Sequence, residues 1–120
     1  MREATLWTLH LAAGIVILVL LAVHMGIMHL EDILAAMGTG YPDPLSWTSV
    51  VVRSKKLLFT VAYVLLLGTA LYHGLYGLRN ILLELNPGRV AARVIQWLVL
   101  ALGISLFVLG TVAAIVAYVR

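Results

Sequence analysis

The stretch Leu57-Leu58-Phe59-Thr60-Val61-Ala62-Tyr63-Val64-Leu65-Leu66-Leu67-Gly68-Thr69-Ala70-Leu71-Tyr72-His73-Gly74-Leu75-Tyr76-Gly77-Leu78 contains no Asp, Glu, Lys or Arg. A helix needs about 20 largely apolar residues to cross the hydrocarbon core of a bilayer, whereas strands of globular proteins end within about ten. This stretch therefore reads as a spanning helix. Ala4–Leu30 and Val94–Val119 are equally free of charge and just as long or longer. The sequence predicts an all-α membrane protein with three transmembrane helices. They form a single membrane domain over residues 1–120, with spans near 4–30, 55–85 and 90–119.

Composition agrees. The chain is 63% hydrophobic and 11% charged, far from the roughly 25% charged residues of soluble domains. There is no cysteine, which excludes disulfides, thiolate metal ligands, cysteine-bound iron–sulfur clusters and covalent c-type haem attachment. The net charge of +3 is scattered, so no basic stripe offers a nucleic-acid surface. The first apolar run continues for 27 residues. A signal-peptide core has roughly 7–15, and the run is expected to be a retained helix without a cleaved targeting segment.

The connections differ in length. Glu31–Lys56 holds Gly38-Thr39-Gly40-Tyr41-Pro42-Asp43-Pro44, a cluster of turn formers that must break any helix. Trp47 and Tyr41 suit the membrane interface, and Arg53, Lys55 and Lys56 mark the headgroup level. The second connection, Asn86-Pro87-Gly88, is short and makes its flanking spans antiparallel neighbours. Basic residues do not choose an orientation. Arg2, Arg79, Arg89 and Arg93 fall on one side, and Arg53, Lys55, Lys56 and Arg120 on the other.

Functional interest lies in four histidines, because an ionisable group within a span is costly without a partner. Imidazole is also a standard axial ligand of haem iron. His73 has Ala70, Gly74 and Gly77 at offsets of −3, +1 and +4, which share or border its helical face. They offer a smooth groove for a porphyrin edge, or a small-residue surface for helix packing. Arg79 lies within reach of a haem propionate, and equally suits a snorkelling anchor. His10 and His24 are fourteen residues apart, close to four turns, so they share one face about 21 Å apart. His24 is read as a ligand. His10 is read as an interfacial group, or else as a second ligand at the depth of His73. His29, beside Glu31 and Asp32, is read as exposed. His24 and His73 differ in depth by an order of 20 Å, so they cannot share one iron. Arg79, Asn80, Glu84, Arg89 and Trp97 lie at a level suited to a quinone headgroup.

The run His73-Gly74-Leu75-Tyr76-Gly77-Leu78-Arg79-Asn80, followed by Ile81-Leu82-Leu83-Glu84, resembles the second-helix signature of succinate dehydrogenase/fumarate reductase membrane anchors. Leu21-Ala22-Val23-His24-Met25-Gly26-Ile27-Met28-His29 is similar to the first helix of the smaller, D-type anchor of bacterial enzymes with two anchors. The resemblance implies half of a heterodimeric anchor bundle, working with a second anchor, an iron–sulfur subunit and a flavoprotein. It implies electron transport to membrane quinone through two b haems shared between the anchors. In that arrangement His73 matches the ligand of the haem nearer the iron–sulfur subunit, and His24 that of the distal haem. It also implies a bacterial or archaeal cytoplasmic membrane, with the N-terminus and the Arg79–Arg93 loop facing the cytoplasm. Two departures bear on the quinone pocket. Leu9-His10-Leu11-Ala12-Ala13-Gly14 lacks the arginine common there, and Leu85 follows Glu84 where some members have tyrosine.

Three other readings predict different behaviour. A small cytochrome b of another respiratory complex would have other partners. A haem-free structural anchor would bind no cofactor, and a transporter subunit with a histidine relay would carry protons.

Overall fold

The computed structural model describes residues 2–38 and 43–120, except for the side chains of Glu31, Asp32 and Leu34. The turn expected over 39–42, the interfacial placement of Tyr41 and the acidic surroundings of His29 lie outside these. Five helices follow in order: α1 (Arg2–His29), α2 (Glu31–Ala36), α3 (Trp47–Ser54), α4 (Leu57–Glu84) and α5 (Arg89–Val119). Helices α1, α4 and α5 are each long and apolar enough to cross a membrane. The protein is an all-α, multi-pass membrane protein. In a medium without water, a helix satisfies its backbone polar groups internally, and these charge-free runs contain no proline to interrupt them.

The chain ends its helices where the sequence signals it. Asn86 adopts the left-handed conformation at φ 54°, which asparagine tolerates better than most residues. Together with Pro87 and Gly88 it reverses the chain between α4 and α5. Among its described residues the longer connection carries two short helices, α2 and α3. Asp43 leads into the second: its Oδ1 accepts from the backbone N–H groups of Leu45 and Ser46 at 3.0 and 3.1 Å. Ser46 then caps α3 by accepting from the Ser49 N–H at 3.3 Å. A side-chain oxygen at the cap supplies one of the acceptors that the first helical turn lacks.

Helix α4 lies in the middle. It packs against α1 on one side and α5 on the other, while α1 and α5 make no contact with each other among the described residues. Close approach on the α5 side depends on glycine. A Cβ at Gly68 would stand 3.1 Å from Phe107, one at Gly103 would stand 2.9 Å from Leu75, and one at Gly110 would collide with Leu67. Small residues let spanning helices approach and gain van der Waals contact, the main attraction available in lipid.

At one end α3 ties the row together. Ser54 Oγ donates to the Ala117 carbonyl of α5 at 3.3 Å, and Arg53 reaches Met28 of α1 at 3.8 Å. Arg53 does not snorkel to the headgroups as its sequence position suggested. It is 2% exposed and donates from Nη2 to the Pro44 carbonyl. Elsewhere little is enclosed: among the described residues of the three long helices, Ala13 and Tyr76 are the buried apolar ones. The remaining apolar surface faces lipid or other protein.

Candidate functional site

The α1–α4 contact brings His10 and His73 together. Their rings stack with centroids 4.1 Å apart and planes within 3° of parallel. Trp7 extends the stack beyond His10 at 5.3 Å, and Tyr76 tilts against it at the same distance. Two hydrogen bonds cross between the helices here. Tyr72 donates its hydroxyl to the Leu6 carbonyl at 2.8 Å, and His73 Nδ1 meets the His10 carbonyl oxygen at 3.0 Å. A carbonyl can only accept, so His73 carries its proton on Nδ1. Its Nε2 has no hydrogen-bond partner among the described residues and is not enclosed by them. An unprotonated imidazole nitrogen is chemically able to bind a metal, and in metal sites the other ring nitrogen commonly donates to a carbonyl as His73 Nδ1 does here.

Two expectations change at this point. Stacked rings carry their electron pairs in parallel planes, side by side. Trans-axial ligands must aim theirs at each other across the iron, so His10 in this arrangement does not complete a site with His73. The role of Gly77 changes as well. A Cβ there would stand 3.4 Å from His10 Cε1, so this glycine serves helix packing. Ala70 and Gly74 remain exposed, and a Cβ at Gly74 would meet nothing within 4 Å.

His24 sits elsewhere. It meets Tyr63 edge-on at 5.8 Å, ten residues before His73 on α4, or about 15 Å at 1.5 Å per residue. Neither of its ring nitrogens has a hydrogen-bond partner among the described residues. It borders a small cavity of about 60 Å³ with Leu20, Ile27, Met28, Phe59 and Tyr63. The two histidines thus lie at two levels, and at neither level does this chain provide a second, opposed imidazole. No group of three or more His, Cys, Asp or Glu side chains converges among the described residues.

Arg79 stands near the His73 level and is largely covered. Its Nη1 donates to Asn80 Oδ1 at 2.9 Å and lies 3.9 Å from Glu3 Oε2, and its Cζ is 5.8 Å from the Tyr76 ring centre. It also lines an apolar groove of about 570 Å³ between α4 and α5 that runs from Gly68 and Phe107 to Arg79 and Gln96. That volume is within the range of small-molecule sites. Sequence reasoning missed Gln96, although a lone amide in the apolar run of α5 was a visible signal.

Compared with known protein families, curated proteins and solved structures, the chain matches none.

Proposed function

We propose that this chain is a haem b-carrying membrane anchor of a succinate:quinone oxidoreductase, seated in a bacterial or archaeal cytoplasmic membrane. The observation that carries the reading is the His73 imidazole, fixed by the His10 carbonyl with Nε2 left open at the chain surface. The likeness of His73–Glu84 and of Leu21–His29 to D-type anchors supplies the choice of complex. His73 and His24 each hold one b haem, and a second anchor provides the opposed ligand at each level. Bound there, haem supplies a one-electron carrier between an iron–sulfur subunit and membrane quinone.

The chain's own residues do the positioning. The His10 carbonyl orients His73, and Arg79 offers a cation to a propionate at the membrane boundary. The groove ending at Arg79 and Gln96 suits an apolar quinone tail. Succinate oxidation belongs to the flavoprotein, so this chain has no catalytic residue.

The test is to purify the complex through this subunit and measure haem per chain by pyridine haemochrome, with a reduced-minus-oxidised spectrum. About two b haems per copy supports the reading. One haem restricts it to a single histidine, and none returns both to packing in a haem-free anchor.

A further inference from the structure

Helices α1 and α4 carry the same short pattern at their contact: His10 and Gly14 on one, His73 and Gly77 on the other, each pair four residues apart. The pattern is reciprocal. The His73 ring lies against Gly14, where a Cβ would stand 3.1 Å from Cε1 and 3.3 Å from Nδ1. The His10 ring lies against Gly77 in the same way, at 3.4 Å.

The spacing has a physical reason. A helical carbonyl points toward the residue four positions later, so the missing side chain at Gly14 opens the His10 carbonyl to an outside donor. His73 Nδ1 uses that opening at 3.0 Å. The equivalent bond from His10 is not made, and His10 Nδ1 is buried without a partner among the described residues. A buried N–H with no acceptor is costly, which puts the His10 proton on Nε2, the nitrogen that is not enclosed.

We infer that this reciprocal histidine–glycine clasp fixes opposite tautomers in the stacked pair, so that His73 and not His10 presents a free electron pair at the chain surface. Gly14 is therefore a positioning residue that decides which of two adjacent imidazoles acts as ligand. The inference deepens the haem reading, but the tautomers themselves do not depend on haem.

The test is solid-state NMR of the full chain in lipid bilayers with ring-15N histidine, the resonances assigned through His10→Gln and His73→Gln. His73 is expected to show a protonated Nδ1 and a bare Nε2, and His10 the reverse. The same tautomer in both rings, or a proton on His73 Nε2, overturns the inference whatever the haem content. Gly14→Val should abolish the His73 Nδ1–H signature. In the purified complex it should remove or spectrally shift the haem held at His73 and leave the one at His24 unchanged. Gly14→Ala, a milder intrusion, should move the same signals less. An unaltered His73 spectrum in both variants also overturns the role of Gly14. Expected tautomers in a complex without haem would defeat the haem reading and leave the clasp standing.

Discussion

The two levels of the α1–α4 pair treat a histidine in opposite ways. At the His73 level the ring is stacked on His10, bonded to a backbone carbonyl and seated on a glycine. At the His24 level the ring touches Tyr63 edge-on, has no hydrogen bond and borders a void. The same residue type on the same helix pair is rigidly oriented at one depth and loosely held at the other. Orientation thus comes from this chain at the first level, and at the second it is left to whatever packs against His24.

Substitutions can break that comparison. The largest effect is expected from His73→Ala, which should lower the haemochrome yield per chain by about half and loosen α1 from α4. His73→Met should retain haem with a shifted potential, because thioether is also an axial ligand. His24→Ala should remove the other haem while leaving the thermal stability of the haem-free chain nearly unchanged. A large loss of stability there would mean that His24 is a packing residue after all.

Tyr72→Phe removes one interhelical hydrogen bond and sharpens the contrast. Such bonds average about 0.6 kcal/mol in membrane proteins, so a small loss of resistance to denaturing detergent is expected, with haem content intact. Smallest is Arg79→Gln. Its ion pair with Glu3 is long and partly exposed, and pairs of that kind contribute at most about 1 kcal/mol. A shift in the potential of the His73 haem alone, by redox titration, is the expected sign of propionate contact.

The spans were legible because absence of charge over more than 20 residues has one cheap explanation. The two histidine levels were legible too, since fourteen residues is a fixed rise along one helix. The common depth of His10 and His73 was legible as well, but not the exact register of α1 against α4. The connection from Leu30 to Lys56 is long enough to allow several registers, and only register shows that Gly14 faces His73 and Gly77 faces His10. For that reason Gly77 looked like room for a cofactor. Helix α3 was hidden behind its turn formers, although Asp43 and Ser46 carried the capping chemistry that starts it. Arg53 reads as a headgroup anchor in any linear view, and only the fold puts Pro44 over it.

The row formed by α1, α4 and α5 has a consequence for how the chain comes apart. A closed bundle loses all its contacts together, because each helix leans on every other. Here α4 is shared, and apart from the ties made by α3 at one end the contacts on its two sides are separate, as between neighbouring units of a repeat array. The α4–α5 side is further held by the four-residue link Leu85-Asn86-Pro87-Gly88, which keeps the effective concentration of one helix beside the other high. Helix α1 is tethered by a much longer connection. Melting should therefore be stepwise, with α1 peeling away first and taking the His10–His73 stack with it while the α4–α5 hairpin persists.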